Sequence, residues 1–226
     1  MLHLEKTIPP HTGEKIIYAG SPAGSASSAM ILLHGRGADA ASMKGLISQL
    51  TVDKMLCILP EADNFTWYPY SFIEKRELNE PGISSGLKLI DAIVVALGEQ
   101  QIRRENLFLL GFSQGACLAL DYTARYPDRF GGVFALSGGL IGENLHAEEY
   151  QGDLQQTPVF LGCSDRDSHI PEERVQESAA IFEKLNAAVT KKIYPNMGHT
   201  VNRDEINMIN QLLSERRSAR LENTGA

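Results

Sequence analysis

Asn106-Leu107-Phe108-Leu109-Leu110-Gly111-Phe112-Ser113-Gln114-Gly115-Ala116-Cys117-Leu118 is the stretch whose reading decides the fold. An apolar run, Leu107 to Leu110, ends in Gly-Phe-Ser-Gln-Gly, and a small-residue helical pattern from Gln114 to Tyr126 follows at once. The order is strand, tight turn, helix, with a serine at the turn. So sharp a turn forces the serine into a strained backbone conformation, with its hydroxyl above the end of the sheet. Gly111 and Gly115 remove the side chains that would crowd it. The helix behind Ser113 aims its free N–H groups and the positive end of its dipole at whatever the serine attacks. The pentapeptide alone recurs by accident in unrelated chains. Its setting between a strand and a helix gives it weight.

Working outward, strands and helices alternate. Lys15–Tyr18 reads as a short edge strand, and Gly20–Ser28 as a loop of Gly, Ser, Ala and Pro. Ala29–Leu33 and Met55–Pro60 are continuous apolar runs, the pattern of strands buried on both faces. Ala40–Leu50 between them reads as a helix. In Gly82–Leu97 the apolar residues Ile83, Leu87, Ile90, Val94 and Leu97 recur at helical spacing. Gly132–Leu136, Pro158–Gly162 and Val189–Tyr194 are further strands, with helices over Glu172–Ala187 and Asp204–Leu213. Residues 140–156 are left unassigned. Such alternation predicts one α/β domain over 1–226, with a mostly parallel sheet, helices on both faces and a minimal cap. Residues 1–28 form its N-terminal edge segment, and 214–226 a frayed charged tail.

Composition narrows the function. Of 226 residues 43% are hydrophobic, enough for a sizeable core. A net charge of −7 argues against nucleic acid as a partner. Cys57, Cys117 and Cys163 all lie in apolar surroundings and read as core residues, not as disulfides or metal ligands. No signal peptide or membrane span is read, so the cytoplasm is the expected location, without stable membrane insertion. No phosphate loop, dinucleotide fingerprint or metal constellation implies a cofactor. The oligomeric state stays open, a homodimer included.

A serine hydroxyl needs a base, and histidine suits. His3 and His11 lie in the polar N-terminal region and are expected to be solvated. His34 ends a strand and reads as structural, its ring bonding loop backbone. His146 falls in the unassigned stretch and His169 in an acidic loop. His199, in the loop between the last strand and the last helix, is the best placed. The carboxylate that orients it follows the strand Val159–Leu161, where Asp165 and Asp167 both qualify, the other serving as a charge at the next helix's N-terminus. Serine, acid, histidine is the chain order of α/β-hydrolases. Asn64–Phe72 packs five aromatic residues into a proline-containing loop. That loop either covers the core with its own rings or walls a substrate pocket.

The chain resembles the phospholipase/carboxylesterase family of small bacterial carboxylesterases and acyl-protein thioesterases. The matching pieces are Leu33-His34-Gly35-x-Gly37, Thr66-Trp67-Tyr68-Pro69, Gly111-Phe112-Ser113-Gln114-Gly115, Asp167-x-x-Ile170-Pro171 and Gly198-His199. The resemblance implies Ser113 as nucleophile, Asp167 as the acid and His199 as the base. It implies an oxyanion hole made by the N–H groups of Arg36 and Gln114. Trp67, Phe72 and Met197 are the candidate pocket residues. The expected activity is hydrolysis of a small-molecule carboxylic ester through an acyl-enzyme, with a thioesterase, a lysophospholipase or a non-catalytic binding protein as alternatives. Many members have Leu where this chain has Arg36, and that cation is expected to favour an acidic or polar group beside the ester.

Overall fold

The computed structural model describes residues 2–224. Seven strands, β1 (Ile16–Gly20), β2 (Ser28–Leu33), β3 (Met55–Pro60), β4 (Leu107–Phe112), β5 (Gly132–Leu136), β6 (Pro158–Ser164) and β7 (Ala188–Tyr194), form one sheet. Its order is β1-β3-β2-β4-β5-β6-β7, with β1 antiparallel to β3 and every other pairing parallel. This is the α/β-hydrolase arrangement expected from the sequence. The helices are α1 (Lys44–Ile47), α2 (Gly82–Glu99), α3 (Gln114–Arg125), α4 (Glu172–Lys184) and α5 (Arg203–Thr224).

The period-two geometry of a strand divides the apolar runs between two faces. On β2, Ala29, Ile31 and Leu33 pack with residues of α2, α3 and α4, such as Ile90, Leu118 and Phe182. Met30 and Leu32 point the other way, towards Met43, Ile206, Ile209 and Leu213. The central strands therefore have no polar face to show, and β2, β3 and β5 are buried at every residue.

Two local expectations need correction, and the stretch left unassigned takes shape. Ala40–Leu50 is not one helix: a 3-10 turn over Ala40–Met43, capped by Asp39, leads into the single turn of α1. Gly45, Ser42 and Ser48 are poor helix formers and interrupt the run. The last helix does not end at Leu213 but runs to Thr224. Its Ser214–Thr224 extension is rich in Glu, Arg, Ala and Leu and meets no glycine before Gly225. Arg217 pairs with Asp53 at 3.0 Å, and Arg216 donates to the Glu105 carbonyl at 3.2 Å. Residues 225 and 226 of the expected tail lie outside the described residues. The stretch 140–156 holds only a 3-10 turn, Ala147–Glu149, yet Leu140, Ile141, Tyr150 and Leu154 are buried. Arg174 of α4 secures its start by donating to the carbonyls of Leu140, Gly142 and Glu143.

The three cysteines are free and buried, as expected. No helix among the described residues is long and apolar enough to cross a membrane.

Candidate active site

The topology collects the loops that carry chemistry. From β2 the chain turns to β3 on one side, then returns to β4 on the other. Parallel sheets bind ligands at the carboxyl ends of strands beside such a switch. Leu33 and Gly111 are partners in register, so the loop after β2 and the turn after β4 are neighbours. The loops after β6 and β7 complete the rim.

Ser113 occupies the turn from β4 to α3 with φ 55° and ψ −120°, a conformation L-residues rarely adopt. Both flanking glycines are demanded by backbone approach. A Cβ on Gly111 would stand 2.2 Å from the Gly115 carbonyl oxygen, and one on Gly115 would stand 2.1 Å from that of Leu33.

His199 Nε2 lies 2.9 Å from Ser113 Oγ, and its Nδ1 lies 2.9 and 2.8 Å from the two Asp167 oxygens. The carboxylate can only accept, so Nδ1 carries the proton and Nε2 is left to accept from the serine hydroxyl. The Asp167 side chain is fully buried. Burial works to raise its pKa, but the His199 hydrogen bond and the N–H groups of His169 and Ile170 hold it below the ordinary value. The His199 ring packs against Phe112, 5.0 Å between centroids, and meets His169 edge-on at 4.7 Å. The sequence reading leaves His169 without a role. Its proximity arises because the loop after β6 folds back on Asp167.

Asp165 does a different job from the helix charge expected of the second aspartate. Its Oδ1 accepts from the Asn196 N–H at 2.7 Å, and the Ser164 hydroxyl oxygen accepts from the Gly198 N–H at 3.0 Å. The end of β6 thus fixes the loop that presents His199. On the far side of that loop, Asn202 and Glu205 cap α5 reciprocally: Glu205 N donates to Asn202 Oδ1 at 2.9 Å and Asn202 N to Glu205 Oε2 at 2.8 Å.

The other oxygen of Glu205, Oε1, is buried without a partner among the described residues, and burial pushes the carboxyl pKa up to about 7 from 4.5. The native chain keeps a proton that the unfolded chain has released. Stability should therefore fall as pH rises from about 4.5 to about 7, then level off. Glu205→Gln is expected to exceed wild type in urea-denaturation stability above neutrality by on the order of 2–3 kcal/mol, and to match it near pH 4. An equal gap at both pH values would contradict that origin.

The N–H groups of Arg36 and Gln114 donate to nothing among the described residues. Gly35 packs close to the serine: a Cβ there would stand 3.3 Å from Ser113 Cβ. The donor pair and the hydroxyl therefore share one corner of the sheet. The Arg36 guanidinium does not stand clear of the protein, because it donates to the carbonyls of Pro69 (2.6 Å) and Tyr70.

The aromatic loop is mainly a cover for the core. Trp67 has no exposed surface and Phe72 is 4% exposed, so neither offers a ligand the pocket wall expected of it. A buried indole needs a partner for its N–H, and Trp67 Nε1 finds the His34 carbonyl at 2.9 Å. Met197 is partly exposed, with its sulfur accepting from Asn202 Nδ2 at 2.8 Å. His11 is not solvated: it is 1% exposed, with Nε2 donating to the Trp67 carbonyl at 2.8 Å and Nδ1 accepting from the Asp63 N–H at 3.0 Å. Desolvation lowers its pKa. His34 bonds loop backbone as expected, through the Gly35 carbonyl and the Ala62 N–H.

A family model described as Phospholipase/Carboxylesterase matches residues 14–216. The chain is 42% identical to a solved phospholipase/carboxylesterase from Dyadobacter fermentans, with a TM-score of 0.87 over 94% of this chain and 100% of that one. It is 36% identical over 138 residues to acyl-protein thioesterase 1 of Kluyveromyces lactis, which is 59% of this chain and 60% of that protein. It is 25% identical over 138 residues to a probable carboxylesterase, SOBER1-like, of Arabidopsis thaliana, which is 61% of this chain and 53% of that protein. The matches thus span between half and two thirds of those two curated relatives.

Proposed function

The chain belongs to the phospholipase/carboxylesterase family, and from that premise we propose that it is a serine hydrolase cleaving carboxylic esters through an acyl-enzyme. Ser113 Oγ attacks the ester carbonyl while His199 Nε2 takes its proton, and Asp167 stabilises the imidazolium that forms. The N–H groups of Arg36 and Gln114 receive the negative charge on the carbonyl oxygen, aided by the N-terminal end of α3. His199 then protonates the departing alcohol. Water, deprotonated by the same ring, releases the acid.

One observation carries the reading: an imidazole hydrogen-bonded to a serine hydroxyl on one edge and to a buried carboxylate on the other. The serine also sits in a strained turn that gives its side chain access to the rim. A second reading, hydrolysis of thioesters on acylated proteins, draws on the likeness to the yeast thioesterase. A series of p-nitrophenyl esters of increasing acyl length, paired with matched thioesters, tests both. Turnover is expected on the esters; a chain that hydrolysed only thioesters would move the assignment to the second reading. No turnover on either series would contradict the proposal.

A further inference from the structure

Four consecutive loop residues are gripped by the side chains of the two proposed oxyanion donors. The Trp67 N–H donates to Gln114 Oε1 at 3.0 Å, and Gln114 Nε2 donates to the Tyr68 carbonyl at 2.7 Å. Arg36 Nη1 and Nη2 donate to the next two carbonyls, those of Pro69 and Tyr70. Each residue that offers its backbone N–H to the substrate oxygen thus ties its own side chain to the segment Trp67–Tyr70.

That segment is itself held at both ends. Trp67 is fixed by the His34 carbonyl and by His11. The Tyr70 N–H donates to Asn79 Oδ1 at 2.8 Å, and Asn79, fully buried, donates on to the Ser71 carbonyl. Three residues earlier, Arg76 bonds Asp121 of α3 at 2.8 Å, and that carboxylate is fully buried and shared with Arg125. Removing one member of such a buried group is costly, so this end is firm. By contrast, the Arg36 peptide stands between Gly35 and Gly37, whose φ of 75° is open to few other residues. The Gly37 N–H ties this backbone to the same loop by donating to the Phe65 carbonyl at 2.8 Å, and the guanidinium adds two further ties at Pro69 and Tyr70.

We infer that Trp67–Tyr70 is a frame that sets the separation of the two oxyanion donors, with the side chains of Arg36 and Gln114 as positioning residues. The inference rests on the proposed ester hydrolysis. An oxyanion donor must lie within about 2.7–3.1 Å of the oxygen as charge develops, so a drift of a few tenths of an ångström weakens it. The loss falls on the transition state and spares ground-state binding, so it appears in kcat and not in KM. A cation that reads substrate charge would do the opposite. It would change KM, and only for esters bearing an acid.

Arg36→Met and Arg36→Lys, assayed on a neutral p-nitrophenyl ester and on one with a terminal carboxylate, separate the two. The frame predicts that Arg36→Met lowers kcat roughly 10- to 100-fold. KM should stay within about twofold, by the same factor for both esters. Affinity for a trifluoromethyl ketone, which forms a tetrahedral adduct, should fall in step with kcat/KM. Arg36→Lys, which still offers N–H donors to the carbonyls, should recover part of each loss. Backbone hydrogen exchange should rise in residues 35–38 and 66–70 of the Met variant. An unchanged kcat, a loss confined to KM of the acidic ester, or unchanged exchange would overturn the frame. A wild type without Ser113-dependent turnover would instead count against the ester-hydrolase reading, and the exchange result alone would then decide on the frame.

Discussion

Ser113→Ala is expected to lower kcat/KM for carboxylic esters by roughly 10⁴-fold or more while leaving the thermal midpoint near that of the wild type. The hydroxyl's one described partner is His199 Nε2, so its removal disturbs no packing. What it removes is the atom proposed to form the acyl bond. The strained turn remains, because its glycines and the hydrogen bonds of Ser113 N to Leu136 and Cys117 N to Ser113 O are backbone features. Residual activity at the wild-type level in parallel esterase assays would place the nucleophile elsewhere. A collapse of the thermal midpoint would make the activity loss uninterpretable, and Ser113→Cys would then carry the comparison, as a bulkier nucleophile in the same turn.

Asp167→Asn should reduce kcat roughly 10³- to 10⁴-fold, whereas Asp165→Asn should leave it within about tenfold of wild type. The asymmetry follows from hydrogen bonding. The N–H groups of His169 and Ile170 both donate to Asp167 Oδ1, so an asparagine keeps its oxygen there and turns its NH₂ towards His199 Nδ1. The ring must then accept at Nδ1 and carry its proton on Nε2, which can no longer take one from Ser113. Asp165 uses Oδ1 to accept from the Asn196 N–H, and an asparagine oxygen can do the same. Steady-state kinetics on the two variants settles the matter, and a larger loss from Asp165→Asn would reverse their roles.

Legibility in the sequence tracked how local each feature is. The strands could be read because central strands covered on both faces must be apolar throughout, and Met30–Leu33 and Leu107–Leu110 are. The serine turn could be read because its constraints fall within five residues, Gly111 to Gly115. His199 could be read by position, in the loop after a recognisable strand, whereas position left Asp165 and Asp167 both open and only the family resemblance chose between them. What escaped depends on contacts between distant segments in which one partner is a main-chain group. Any residue supplies a carbonyl or an N–H, so nothing in the sequence marks Trp67 O as the acceptor for His11 or Pro69 O for Arg36. The same limit explains Trp67 and Phe72. An aromatic residue in a loop can face in or out; Trp67 is held in by its bonds to His34 and Gln114, and Phe72 lies under the Arg174 guanidinium, 5.8 Å from its ring centroid. Glu205 looks like an ordinary helix-start acid, and only the position of β6 beside it removes the water its second oxygen would need.

The central claim is that Ser113 becomes covalently acylated. Treating the protein with a fluorophosphonate, then locating the adduct by mass spectrometry of proteolytic peptides, reads this directly. The account predicts a single adduct on Ser113, formed quickly in wild type and far more slowly in His199→Ala. An adduct on another residue, or labelling at an equal rate without His199, would contradict it.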